Sequence, residues 1–262
     1  MNAIERSEDR DRIHIGVGTA NLRSLGRRSS IRDVATLLRA AVELGATTID
    51  TADTYGAGSA ERALAAAAAG VGSRDLRVIT KGGYVFPDLP MPLRPLNQPA
   101  KKLVGALVPR QRFDAAHLRR AWSASRERLQ GLPVHAYCLH NPPASVLRAG
   151  EAVQVLDSLR ASGAFDMVGV SVDDTADAAL LPDLDGLGLV ELSAHTWREL
   201  PAAARARLKG RGIEIVINRA LHLHPDPATA LQMLTAMDQA PDVIIVGTRN
   251  PAHLAAAVEA VA

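Results

Sequence analysis

Short apolar runs alternate along the chain with stretches of helical periodicity, and the alternation itself predicts most of the elements. Ile13–Val17 (IHIGV) reads as a first strand, ending among Gly16, Gly18 and Thr19, after a charged and poorly patterned start over Met1–Arg12. Ser30 is placed to cap a helix whose apolar positions Val34, Leu37, Leu38, Ala41 and Leu44 recur at three- and four-residue spacing and stop at Gly45. A second strand follows at Thr47–Thr51, where alternation sends Thr48 and Asp50 to one face and Ile49 to the other. An alanine-rich helix from Gly58 to Ala69, closed by Gly70, leads to a third strand at Leu76–Thr80 that ends at Lys81.

From Gly82 to Arg112 the periodicity stops. Pro87, Pro90, Pro92, Pro95, Pro99 and Pro109 forbid regular helix over most of that stretch. A loop of this length in a compact domain is usually functional. A lid is therefore predicted, carrying Lys101, Lys102 and the apolar run Leu103–Val108 over a large or anionic substrate or against a second subunit.

Asp114 then caps a helix through Gln130, and Val134–Leu139 is a fourth strand ending at His140-Asn141-Pro142-Pro143. The second half repeats the unit, with helices at Glu151–Ser162, near Ala176–Leu181, at Trp197–Leu208, Ala228–Asp238 and Pro251–Val261. Strands are predicted between them at Met167–Val170, Leu189–Leu192, Ile213–Ile217 and Val243–Val246. Their near-continuous Val/Ile/Leu character suits strands buried on both faces of a parallel sheet. Eight such strands alternating with helices predict an α/β fold, a closed (β/α)8 TIM barrel, ahead of a doubly wound open sheet.

Composition narrows the picture. With 262 residues, 47% of them hydrophobic, the chain suits one barrel domain over 1–262, since such barrels run to about 250 residues. Thirty Lys+Arg against twenty-eight Asp+Glu leave a net charge of +2 without a dense basic run, so the expected partner is a small molecule and not nucleic acid. Cys138 is alone, which excludes an intrachain disulfide framework, and neither a signal peptide nor a long apolar span stands at the N-terminus. A cytoplasmic protein without membrane contact is expected, as a monomer or a homo-oligomer.

In a barrel of this kind the active site lies at the C-terminal ends of the strands. Asp50, Lys81 and His140 fall there, on strands two, three and four, with Tyr55 in the loop above. A carboxylate pointing inward from a strand is costly unless a cation meets it; by itself Asp50 is as readily a turn cap. Lys81 held by Asp50 would favour the tyrosinate form and lower the Tyr55 pKa from about 10, making Tyr55 a general acid. His140 can donate a hydrogen bond that orients a substrate carbonyl. Tyr84, Phe86 and Trp197 are the aromatic residues best placed to line a substrate pocket.

Three further features admit two readings each. His222, His224 and Asp226 have the spacing of metal ligands but no further carboxylate or Cys pair completes a site, so a loop with one His near substrate is expected and no metal. His195 either faces the pocket or starts a helix. Cys138 alternates with His140, so both point into the barrel, where a lone Cys is inert packing.

These residues resemble the aldo-keto reductases over nearly the whole chain. The likeness rests on Gly16-Val17-Gly18-Thr19-Ala20, Asp50-Thr51-Ala52 with Tyr55-Gly56, Thr80-Lys81, Leu139-His140, Gly169-Val170-Ser171, and Val246-Gly247-Thr248-Arg249-Asn250-Pro251. The resemblance implies a barrel that binds NADPH without a Rossmann domain and reduces an aldehyde, ketone or imine, with hydride from the nicotinamide and a proton from Tyr55. It implies that Asp50 and Lys81 tune Tyr55 while His140 orients substrate. It also implies a cofactor set of Ser171, Glu191, Asn218, Arg219, Gly247, Thr248 and Arg249, the last meeting the adenosine 2′-phosphate through an Arg–phosphate fork.

On that cofactor side the chain departs from the family pattern. Val172 follows Ser171 where Asn is usual, Glu191 stands at a Gln position, Asn218 and Arg219 replace a stacking aromatic, and Ala256 and Ala257 replace Glu-Asn. The departures leave an alternative function on the same barrel: a redox-neutral acid–base enzyme for elimination, cyclisation or isomerisation. The substrate expected in either case is biosynthetic.

Overall fold

The computed structural model describes residues 13–24, 27–86 and 110–262. The predicted lid segment, with Lys101, Lys102 and Leu103–Val108, lies outside the described residues, as does Met1–Arg12.

Eight parallel strands close into a barrel: β1 His14–Gly18, β2 Thr48–Asp50, β3 Arg77–Gly82, β4 Val134–His140, β5 Met167–Val172, β6 Leu189–Ser193, β7 Glu214–Asn218 and β8 Val243–Val246. Closure comes from β1, which pairs with β2 on one side (Gly18 opposite Asp50) and with β8 on the other (Val17 opposite Val246). Helices cover the outside: α1 Ile31–Glu43, α2 Ser59–Ala68, α3 Ala115–Leu129, α4 Ala144–Ala149, α5 Glu151–Ala161, α6 Thr175–Ala178, α7 Ala194–Glu199, α8 Ala202–Gly210, α9 Pro227–Thr235 and α10 Pro251–Val261. The predicted barrel is the one observed.

Strand alternation divides the apolar residues into two cores. Val17, Ile49, Val78, Tyr137, Val170 and Ile217 face outward into the layer under the helices. Their neighbours Ile79, Ala136, Cys138, Leu189, Val216 and Ile245 fill the barrel interior. Burial on both faces explains why the strands read as continuous apolar runs, and each large side chain so buried contributes roughly 1.5–3 kcal/mol. The interior is tight enough to require glycine: a Cβ on Gly169 would lie 2.3 Å from Cys138 Sγ, and one on Gly16 2.6 Å from Ile245 Cδ1.

Helix starts follow the local chemistry. Ser30 and Asp33 form a reciprocal capping box at α1, and Asp114 accepts from the His117 backbone N–H at α3. Two helices depart from expectation. The predicted helix Trp197–Leu208 is two, α7 and α8, because Pro201 holds Leu200 extended (φ −60°, ψ 132°) and cannot continue the α7 hydrogen-bond ladder. Helix α4 precedes α5, the two joined at Gly150 in the left-handed region. His195 lies on the exposed side of α7, 3.0 Å from Glu199 one turn on, and so belongs to the helix surface.

The two described ends of the Pro-rich stretch are stitched into an antiparallel pair: Val85 N–H donates to Arg110 O (2.9 Å) and Arg112 N–H to Gly83 O (2.8 Å). Gln111 then donates from Nε2 to the carbonyls of His140 (3.1 Å) and Asn141 (2.8 Å), which ties this pair to the end of β4. No described helix is long and apolar enough to cross a membrane.

Candidate active site

The turn carrying Tyr55 is set by three successive left-handed residues, Gly56 (φ 58°), Ala57 (φ 51°) and Gly58 (φ 77°), which swing the chain from β2 into α2. Gly58 is required twice over, since a Cβ there would also lie 2.7 Å from Arg128 Cδ. The first turn of α2 is then fastened from below. The carboxylate of Glu61, with 0% exposure, accepts from Thr80 Oγ1 on β3 (2.7 Å) and from Arg128 Nε on α3 (2.5 Å). Tyr55 is thus held against β3, the strand that carries Lys81.

Beneath Tyr55 a layer of polar side chains crosses the barrel. Lys81, fully buried on β3, forms a hydrogen-bonded ion pair with Asp50 on β2, donates to Thr51 O (3.2 Å) and lies 3.0 Å from Glu191 Oε2 on β6. The second oxygen of Glu191 accepts from Asn218 Nδ2 on β7 at 2.7 Å. Lys81 Nζ sits 5.4 Å from the centre of the Tyr55 ring. Above the layer, the His140 ring stands edge-on to Tyr55 at 6.0 Å and to Tyr84 at 4.9 Å.

The charges in this layer perturb one another. Burial drives the Asp50 carboxyl up, Glu191 adds to the rise, and Lys81 opposes both, leaving a pKa of about 7. Burial pulls on Lys81 in the opposite sense, but Asp50 and Glu191 hold its ammonium well above the ordinary lysine value. Tyr55 moves upward, chiefly by burial, against the pull of Lys81. This reverses the expected lowering: desolvating a phenolate costs more here than one shared cation returns.

The C-terminal mouth opens into a cavity of about 1060 Å³. Of the sequence-predicted residues, Asp50, Tyr55, Tyr84, His140, Ser171, Asn218, Arg219 and Gly247 line it. Lys81 and Glu191 lie below its floor with no exposed surface. Thr248 is buried, its hydroxyl accepting from the Asn250 N–H at 3.1 Å, and Arg249 is exposed on the loop after β8. Two aromatic residues fall elsewhere. Trp197 is in the core under α7 and donates from Nε1 to Gln239 O (3.2 Å), and Phe86 stacks on the Arg128 guanidinium at 5.9 Å. His222 reaches the cavity, whereas His224 Nδ1 accepts from the Asp226 N–H, and no group placed to hold a metal ion occurs among the described residues.

Sequence reading missed Asn21, Arg110, Asn141 and Asp173 at this mouth. Three loops meet there: Arg219 Nη2 lies 2.9 Å from Asp173 Oδ2, Asn141 Nδ2 donates to the same oxygen at 3.2 Å, and Asp173 N–H returns a bond to Asn141 Oδ1 at 3.0 Å. The local signal is faint. Asn141 and Arg219 both adopt positive φ, ordinary for Asn but uncommon for Arg, and sequence alone does not mark the Arg219 turn.

The Aldo/keto reductase family model matches residues 14–199. Among solved structures the chain resembles a Pseudomonas aeruginosa protein described as an aldo-keto reductase (22% identity, 98% of each chain covered, TM-score 0.75). It also resembles a glycerol dehydrogenase of Gluconobacter oxydans (16% identity, 95% of this chain and 86% of that one, TM-score 0.72). A third is an aldo/keto reductase from Klebsiella pneumoniae in complex with NADP and acetate (20% identity, 94% and 85%, TM-score 0.64). None of the curated proteins matches the chain.

Proposed function

Since the chain belongs to the aldo/keto reductase family, we propose that it is an NADPH-dependent reductase of an aldehyde, ketone or imine, with Tyr55 as proton donor. The observation that carries this reading is the stack at one rim of the cavity: His140 edge-on to Tyr55, and the buried Lys81–Asp50 pair below the same ring.

The cavity residues fit a nicotinamide dinucleotide. Asn218 commits its amino group to Glu191, which leaves its Oδ1 a buried acceptor with no hydrogen bond among the described residues. A carboxamide N–H would supply the missing partner, and Ser171 lines the same cavity. Arg219 and the Gly247–Arg249 segment would hold the phosphates, the exposed Arg249 taking the 2′-phosphate. NADPH bound there supplies the hydride that adds to the carbonyl or imine carbon.

The chain's own residues do the rest. His140 donates a hydrogen bond to the substrate oxygen or nitrogen and aims it at Tyr55. The Tyr55 hydroxyl, kept protonated by its raised pKa, gives up its proton as negative charge develops on that atom. Lys81 stabilises the tyrosinate left behind. The Tyr84 ring and the pinned ends of the Pro-rich stretch shield the site from one side.

Calorimetric titration with NADPH and NADH, followed by NADPH oxidation across carbonyl and imine panels with a Tyr55→Phe control, tests the reading. Binding that favours NADPH, with turnover lost in the control, is the expected result. If neither nucleotide binds, a redox-neutral acid–base reaction replaces the reductase.

A further inference from the structure

The layer across the barrel contains one carboxylate more than the reduction uses. Lys81 is its only fixed cation among the described residues, and two carboxylates from different strands, Asp50 on β2 and Glu191 on β6, meet it. We infer that Glu191 is a positioning residue, a second counter-ion that occupies Lys81 and so keeps Tyr55 in its protonated, acid form.

The geometry leaves Glu191 little other work. It has no exposed surface and does not line the cavity; one oxygen accepts from Asn218 at 2.7 Å, and the other, without a hydrogen bond among the described residues, lies 3.0 Å from Lys81 Nζ as an ion pair. The groups around Lys81 and Tyr55 are Asp50 from β2, Cys138 and His140 from β4, Glu191 from β6 and Asn218 from β7. With Asp50 alone, Lys81 would form a neutral pair whose free lobe pulls on the phenol proton. The second carboxylate shares that ammonium as an ion pair at 3.0 Å and adds a negative charge that disfavours tyrosinate. The upward shift of Tyr55, to which Asp50 and Glu191 both contribute after burial, agrees with this. As a result, Tyr55 remains an acid through neutral and moderately alkaline pH, and alcohol oxidation, which needs it as a base, sets in only at higher pH.

The inference rests on Tyr55 being the proton donor, but its test needs neither cofactor nor substrate. Tyr55 ionisation is read as near-ultraviolet tyrosinate absorbance in the nucleotide-free protein, as the difference between a chain and its Tyr55→Phe counterpart; with three tyrosines in all, the difference isolates one. In the wild type, Tyr55 should ionise above the ordinary tyrosine value of about 10 or not before alkaline unfolding. Glu191→Gln should bring the midpoint down by about one pH unit or more, the scale on which a neighbouring charge acts. Glu191→Asp, which keeps the charge, should restore most of the wild-type value. A wild-type midpoint at or below 10 overturns the inference without any variant, and so does a Glu191→Gln midpoint equal to the wild type's. Absence of reductase turnover would instead overturn the function and leave this titration standing.

Discussion

Replacing Arg128 by Met should destabilise the protein severely and loosen the turn that presents Tyr55. Arg128 is 4% exposed and Glu61 not at all, so the change strands a carboxylate in the layer between β3, α2 and α3, with only Thr80 Oγ1 among the described residues left to bond it. Removing one partner of a buried ion pair costs about 3–5 kcal/mol, because the remaining charge is desolvated without compensation. Against a total stability of roughly 5–15 kcal/mol that is a large share. At about 2–4 °C per kcal/mol for a chain of this size, Tm should fall by roughly 6–20 °C. Urea unfolding monitored by circular dichroism measures the change directly. The same reasoning requires that Glu61→Leu combined with Arg128→Met recover most of the loss, since a buried pair replaced by apolar side chains is often neutral. A double variant as unstable as the single one would show that the cost lies in lost packing, including the Phe86 stack and the Ser125 bond, and would refute the argument from unpaired charge.

Tyr55→Phe should lower kcat for reduction by about 10²–10⁴-fold, the contribution of a positioned general acid, while calorimetry finds NADPH affinity unchanged; equal losses in both would remove Tyr55 from the proton transfer. At the opposite end of the barrel, burial raises the Glu214 carboxyl, but its bonds to His135 and Arg77 outweigh that and leave it below its ordinary value of 4.5. A folded-state pKa that is depressed contributes stability above the unfolded value and loses it as pH falls through the folded one. Glu214→Gln should therefore flatten the acid limb of the stability–pH curve below about pH 5, and an unchanged limb in urea titrations would contradict this. In the catalytic layer, Lys81→Met alone should destabilise by about 3–5 kcal/mol, whereas Asp50→Asn, Lys81→Met and Glu191→Gln together should restore much of that while abolishing activity. A triple variant no more stable than the single one would show that the layer's charges are not its main cost.

The strands and the strand-end residues were legible because period-two alternation and the barrel rule need no long-range information: Asp50, Lys81 and His140 follow from where their strands stop. What was illegible depends on pairing across space. Alternation points Glu191 inward, but its meeting with Lys81, three strands away around the barrel, depends on the stagger of the closed sheet, which no single strand encodes. Trp197 and Phe86 were placed by type alone, and an aromatic ring serves equally well as core or as a stacking partner for Arg128. The same limit explains the cofactor-side departures. Glu191 and Asn218, read one at a time, each appear as a lost contact in place of a Gln and an aromatic residue. In the fold they are one bonded unit at 2.7 Å: Asn218 donates from Nδ2 to the Glu191 carboxyl oxygen, which leaves its buried Oδ1 as the unbonded end. The acid at position 191 thereby decides which end of the amide at position 218 is left without a hydrogen bond, so the two departures have to be judged together.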